Sequence, residues 1–190
     1  MTKLKLLFAV AVAVVFMPAV LRAEPVHLAD GDSFRLGDQR YRLHGIDAPE
    51  LHQECKDKDG RSWPCGIRAR TELRRLIGTH PLECKTEAVD RFGRIVATCY
   101  AGGRNLSEEM VRSGYATIFA RQGFASAYEQ AQREARAEKR GIWAGSFDIP
   151  SDWRRSNPRQ EEPAGDFNAR EWIAETFAQA WQWLRVRFGY

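Results

Sequence analysis

The chain has 190 residues, of which 44% are hydrophobic and 28% charged, with 29 Lys+Arg against 25 Asp+Glu and four cysteines. The length predicts one domain plus extensions. A zinc-type centre finds only weak support, with no C-x-x-C and four histidines without ligand spacing, and the overall charge by itself identifies no partner.

Lys3 and Lys5 precede an apolar run from Leu6 to Met17, then Pro18, Ala19, Val20 and Leu21. The run is short for a membrane span, and Ala23 offers a small residue for cleavage, so residues 1–23 read as a signal peptide. Leu21 at the −3 position is not small, which leaves an uncleaved N-terminal anchor as the alternative. The expected destination is the periplasm or the medium. Cleavage removes Lys3, Lys5 and Arg22 and no acid, so Lys+Arg falls from 29 to 26 against 25 acids. A nucleic-acid partner must therefore be argued from where the arginines sit.

Short strands are predicted at 26–28, 33–36 and 40–46, separated by the turns Asp30-Gly31-Asp32 and Gly37-Asp38. Pro49 ends the third strand, since it cannot donate to a ladder. A polar loop over 51–66 leads to an amphipathic helix at 67–77, with Leu73, Leu76 and Ile77 as its stripe and Gly78 as its stop. Residues 81–89 and 94–100 form a hairpin about Asp90-Arg91-Phe92-Gly93. Helices follow at 106–113, capped by Asn105, and at 127–140, stopped by Gly141, with Ile142 and Trp143 folding back as core. Prolines 150, 158 and 163 among charged residues mark a linker. The expected organisation is a signal peptide (1–23), a folded domain (24–150), a linker (151–166) and an amphipathic C-terminal helix (167–190). The fold class is a β-barrel with helices: a five-stranded OB-fold Greek-key barrel with about three helices.

Cys55, Cys65, Cys84 and Cys99 behind an export signal read as two disulfides. A two-residue loop in the hairpin makes facing residues sum to 183, which pairs Cys84 with Cys99 and leaves Cys55 with Cys65.

Asp30-Gly31-Asp32-Ser33, the run from Arg42 to Glu50, and Asp90-Arg91-Phe92-Gly93-Arg94 are each unremarkable alone. Together they supply what phosphodiester cleavage by water requires. Asp32 and Asp47 offer carboxylate oxygens to a hard cation. Arg42 and Arg94 suit bidentate contact with phosphate oxygens. Glu50 is the candidate base or water-orienting group. Arg91 is a further phosphate candidate. His44 reads as a packed or rim histidine, and Tyr115, Phe119 and Phe124 as core. The helix arginines Arg68, Arg70, Arg74 and Arg75 read as a solvated face.

These segments, in this order and spacing, resemble the staphylococcal nuclease (thermonuclease) family over residues 26–144, including the closing Gly141-Ile142-Trp143. The resemblance implies an OB-fold nuclease with one calcium ion, DNA and RNA as substrates, and products with a 3′-phosphate and a free 5′-hydroxyl. It assigns Asp32, Asp47 and the main-chain carbonyl of Ala48 to calcium, Arg42 and Arg94 to the scissile phosphate, and Glu50 to the attacking water. The chain departs from the best-known member at Ala48, which stands for threonine. It also departs in residues 119–125, which lack a pair of tyrosines, and in the cysteine-bearing loop. The rival is a non-catalytic OB-fold nucleic-acid-binding module. Against it, a pure binder gains nothing from carboxylates that repel the nucleic-acid backbone.

Ile173, Phe177, Ala180, Trp181, Leu184 and Phe188 form one stripe of the C-terminal helix. The domain itself, a partner chain or the membrane surface could cover it. The protein is otherwise expected to be a monomer.

Overall fold

The computed structural model describes residues 25–119 and 126–158. The expected signal peptide, most of 119–125 and the C-terminal helix lie outside the described residues. The described chain runs through β1 (Val26–Leu28), β2 (Ser33–Leu36), β3 (Gln39–Leu43), β4 (Ile46–Asp47), β5 (Cys55–Lys56), β6 (Ser62–Trp63) and α1 (Cys65–Ile77). It continues through β7 (Leu82–Val89), β8 (Ile95–Ala101), β9 (Arg104–Asn105), α2 (Leu106–Arg112), β10 (Thr117–Ile118), α3 (Ser126–Ala137), a 3-10 turn over Gly141–Ala144, and α4 (Pro150–Ser156).

The main sheet has the order β1-β2-β3-β8-β7, with β9 added to β8. Its one parallel pair joins β3 to β8, with Arg42 opposite Val96 and Leu43 opposite Ala97. Alternation along these strands sends Leu43, Ala97, Cys99 and Ala101 inward, where they meet Leu73 and Leu76 of α1 and Leu106 and Met110 of α2. Each fully buried leucine contributes about 1.5–3 kcal/mol. This core fixes the opposite face of β3 and β8, the face that carries Arg42. Cys55, Cys65 and Ile142 form a second small cluster with Trp63, Trp143 and Phe147.

The expected five-stranded barrel does not close among the described residues. β1 and β7 are the two edges of an open mixed sheet, and β4–β10 and β5–β6 are separate two-stranded ribbons. With three residues, β1 is too short to cover the eight residues of β7. Among the described residues there are four α-helices rather than about three. The extra one, α4, lies where the linker was expected to begin. Pro150 suits its first position, Asp152 its first turn, and Arg154 and Arg155 its last. The chain divides into two units, residues 1–150 and 151–190.

α1 begins two residues before the expected start, at Cys65 itself. Asn105 caps α2 as its side chain predicts, with Oδ1 accepting from the N–H groups of Ser107 at 3.0 Å and Glu108 at 3.3 Å. Disulfides join Cys55 to Cys65 and Cys84 to Cys99, with Cα–Cα distances of 5.6 and 4.1 Å. The loop expected between β7 and β8 differs. Val89 faces Ile95 and Ala88 faces Val96, one residue out of the predicted register; a bulge between Thr86 and Ala88 then restores Thr86–Ala97 and Cys84–Cys99. The turn spans Asp90 to Arg94, not two residues, because the Asp90 side chain organises a longer loop.

Candidate active site

The acidic half of the site is built on β2, β3 and β4. Asp30 begins a tight turn: its Oδ1 accepts from the N–H groups of Asp32 at 2.8 Å and Ser33 at 2.7 Å. Gly31 is required there, because a Cβ would lie 2.7 Å from the Cβ of Ala69 and 2.8 Å from that of Ala48. The turn is thus pressed against α1 and the segment after β4.

Asp32 and Asp47 are each 2% exposed. Arg42 bridges them, donating from Nη1 to Asp32 Oδ1 at 3.0 Å and from Nη2 to Asp47 Oδ1 at 2.7 Å. Asp32 also accepts from the Ser33 hydroxyl at 2.7 Å and from the Ala48 N–H at 3.1 Å. Asp47 is fixed through its main chain: Thr117 of β10 is its ladder partner, and the Thr117 hydroxyl donates to its carbonyl at 3.2 Å. The two carboxylates and the guanidinium therefore form a largely desolvated ion cluster.

Asp30 lies beside this cluster. Its carboxyl is pushed well above the ordinary carboxylate range, first by burial and then by the charges of Asp32 and Glu50; the Asp32 N–H and Arg42 pull it back only in part. Buried carboxylate oxygens are the donor type that a hard cation takes. Among the described residues no three His, Cys, Asp or Glu side chains gather into a complete ligand set. Asp32 and Asp47 would have to be completed by the Ala48 carbonyl and water, which fits a calcium-like ion and not zinc.

Glu50 leaves this cluster on a main chain gripped by Gln53. The Gln53 N–H donates to the Glu50 carbonyl at 2.8 Å, and Gln53 Oε1 accepts from the Glu50 N–H at 3.2 Å. α1 abuts the same segment. A Cβ on Gly66 would lie 1.7 Å from the Glu50 carbonyl oxygen, so only glycine allows the helix to start there.

The basic half is the turn between β7 and β8. Asp90 Oδ1 accepts from the N–H groups of Phe92 and Arg94, both at 2.9 Å, and Oδ2 accepts from Arg94 Nε at 2.7 Å. Partial burial raises the Asp90 carboxyl, but the Arg94 N–H, the Arg94 guanidinium and the Phe92 N–H outweigh it and hold the group below its ordinary range. Arg94 closes this turn, one residue before β8 begins at Ile95. The guanidinium carbons of Arg91 and Arg94 lie 4.8 and 5.4 Å from the centre of the Phe92 ring. Arg40 of β3 donates from Nη2 to the Phe92 carbonyl at 2.6 Å and ties the turn to the sheet.

The structure thus gathers Asp32, Arg42, Asp47 and Ala48 in direct contact, with Glu50 within electrostatic reach of Asp30, while Arg91 and Arg94 lie on the turn between β7 and β8. Sequence reasoning missed Asp30, Arg40 and Gln53. The first carried a signal, since an aspartate two residues before another with glycine between can cap its own turn. The long-range bonds of Arg40 and Gln53 have no local pattern. His44 uses its main chain: its N–H donates to Ala97 and its carbonyl accepts from the Ser107 hydroxyl. Arg68, Arg74 and Arg75 of α1 are exposed, and Arg75 pairs with Glu72 on its own helix. Tyr115 is half-buried and packs edge-on against Trp63; Phe124 is outside the described residues.

An open mixed sheet here carries two buried carboxylates bridged by an arginine. The family described as "Staphylococcal nuclease homologue" matches residues 40–145, and the chain belongs to it. The chain is 30% identical over 137 residues to an "Uncharacterized endonuclease" of Escherichia coli, covering 70% of this chain and 83% of that protein. It is 37% identical over 125 residues to a "Probable staphylococcal-like nuclease" of Oryza sativa subsp. japonica, covering 64% of this chain and 31% of the plant protein. A "Succinoglycan biosynthesis protein" of Rhizobium meliloti (strain 1021) is 32% identical over 127 residues, covering 64% of this chain and 66% of the relative. The chain therefore spans about a third of the plant relative and about two thirds of the rhizobial one.

Proposed function

We propose that the protein is an exported nuclease that hydrolyses phosphodiester bonds of DNA and RNA with calcium, leaving a 3′-phosphate and a 5′-hydroxyl. The observation that carries this reading is the buried Asp32–Arg42–Asp47 cluster, in which two carboxylates face one guanidinium. A buried ion cluster is weak support for a fold by itself, and carboxylate oxygens held together in this way suit a hard cation.

Asp32, Asp47 and the Ala48 carbonyl would hold calcium, which supplies electrostatic stabilisation of a phosphate oxygen. Arg42 exchanges its carboxylate partners for the phosphate, while Arg94, aligned by Asp90, takes a second oxygen and Arg91 a flanking phosphate. Glu50 orients the water and accepts its proton. The two disulfides suit an oxidising compartment. Residues 167–190 serve docking, to a partner or to the membrane surface, and not catalysis.

The test is cleavage of single-stranded DNA by the full chain with calcium and again with excess chelator. Activity appears only with calcium, and the product ends carry phosphate at the 3′ side. Cleavage unchanged by the chelator defeats the proposal; tight DNA binding without cleavage in calcium supports the non-catalytic module instead.

A further inference from the structure

We infer that Gln53 is a positioning residue for Glu50, holding the Glu50 main chain in the one conformation that aims its carboxylate at the site. The inference rests on the reading of Glu50 as the group that acts on water.

Gln53 is 0% exposed although it is polar, and it lies in a stretch of loop between exposed His52 and Glu54. A buried amide in such a loop costs free energy unless every polar atom is satisfied. Oε1 accepts from the Glu50 N–H at 3.2 Å, and Nε2 donates to the carbonyl of Asp148 at 2.7 Å. One partner is a pure donor and the other a pure acceptor, so the amide has only one workable orientation. With the Gln53 N–H on the Glu50 carbonyl at 2.8 Å, a single residue engages both main-chain polar groups of Glu50.

Gln53 is itself held from behind. Its carbonyl accepts from the Gly66 N–H at 3.2 Å, and Cys65 Sγ of the Cys55–Cys65 disulfide lies 3.3 Å from that oxygen. Asp148 reaches it from 95 residues away in sequence. Three separate parts of the chain thus converge on the residue that fixes Glu50, while Pro49 restrains the preceding bond. Elsewhere in the molecule a buried side chain usually packs or caps; Gln53 grips one candidate catalytic residue at both its N–H and its C=O. Misplacing a reacting group by about 1 Å can cost about 10²-fold in rate.

The experiment is a double-mutant cycle on the full chain. Gln53→Met keeps the volume and loses both amide bonds; Gln53→Asn keeps an amide one methylene too short to reach both partners. Each is combined with Glu50→Gln. With calcium and single-stranded DNA, each Gln53 variant lowers kcat about 10–100-fold at unchanged KM, and adds little once Glu50 is already changed. In the wild-type chain the Glu50 amide exchanges slowly with solvent deuterium, and Gln53→Met or Gln53→Asn speeds that exchange. Wild-type kcat in a folded Gln53 variant, losses that multiply with Glu50→Gln, or a rapidly exchanging Glu50 amide in the wild-type chain each overturn the inference. The exchange measurement on the unaltered chain decides the matter even if both variants fail to fold. Full activity in Glu50→Gln alone refutes instead the role given to Glu50.

Discussion

Arg42 and Arg94 are the two arginines proposed to take the phosphate, yet the protein holds them by different means. Arg42 sits on the sheet with a side chain 16% exposed, locked between two carboxylates that are themselves 2% exposed. Arg94 sits at a turn, 26% exposed, aligned through Nε by the partly exposed Asp90. The acidic half of the site is organised by burial, so its charges are strongly coupled to folding. The basic half is organised by one local loop, so its charge is available to a ligand at little cost to the fold. Buried charges pay their desolvation only while paired, whereas exposed pairs are worth little.

The sharpest way to break the comparison is to remove each arginine in turn. Arg42→Ala leaves Asp32 and Asp47 buried without their cation. It is expected to lower stability by about 3 kcal/mol in chelator, the cost of breaking a desolvated pair. Calcium should restore much of that loss, by binding the same carboxylates in the folded state alone. Arg94→Ala is expected to change stability by less than about 1 kcal/mol, with or without calcium. Both variants should lose about 10²–10³ in kcat. Thermal unfolding and turnover, each measured with calcium and with chelator, check the four outcomes. Equal stability losses in the two variants would show that the halves are not held differently.

The disulfides extend the contrast to covalent links. Cys84–Cys99 ties β7 to β8 away from the carboxylates, and Cys55–Cys65 closes the loop that leads out from Glu50. Each pair of Cys→Ala substitutions is expected to cost about 2–3 kcal/mol, from the freedom returned to the unfolded chain. Only loss of Cys55–Cys65 should also lower kcat in folded protein, since Cys65 opens α1 beside Gln53. Denaturant midpoints and turnover of the two double variants separate the effects. A drop in kcat on losing Cys84–Cys99 would mean that the sheet edge also controls the site.

The charged residues of the site were legible in the sequence because phosphate chemistry asks for particular groups, and those groups fall in short motifs. Asp32, Arg42 and Asp47 are read from their types and spacing, and the structure brings them into direct contact. The bond between Gln53 and Asp148, and that between Arg40 and the Phe92 carbonyl, depend on packing between distant segments, which no local pattern reports. The hairpin shows a related failure. Facing residues at Cys84 and Cys99 follow from a two-residue loop, but the loop is longer and a bulge restores the register. Cys84 and Cys99 face each other because the longer turn and the bulge at Glu87 offset one another. The extent of the sheet was also overread, because strand signals give the existence of β1 but not whether three residues can close a barrel.

The smallest expected effect is on pH, and it tests whether Asp90 organises the turn by charge or by shape. Its carboxyl is held below the ordinary aspartate value of about 3.9, despite partial burial, by the Arg94 and Phe92 N–H groups and the Arg94 guanidinium. A depressed carboxylate contributes stability that is fully present above the unfolded value and is lost as pH falls through the folded one. The contribution should therefore be constant at neutral pH and disappear only below about pH 4. Asp90→Asn keeps an oxygen for the N–H groups of Phe92 and Arg94 and loses the ion pair with Arg94 Nε. At pH 7 the variant should be less stable by under about 1 kcal/mol, because the pair is partly exposed to solvent. Below pH 4 the gap between variant and wild type should narrow, since protonation has by then removed the wild-type charge as well. Its turnover at neutral pH should fall modestly, by an increase in the freedom of Arg94 and not by loss of the arginine. Acid unfolding curves of the two proteins provide the measurement. A gap that widens toward low pH would reverse the sign of the linkage and show that the carboxylate is disfavoured in the fold, which would remove Asp90 as the anchor of Arg94.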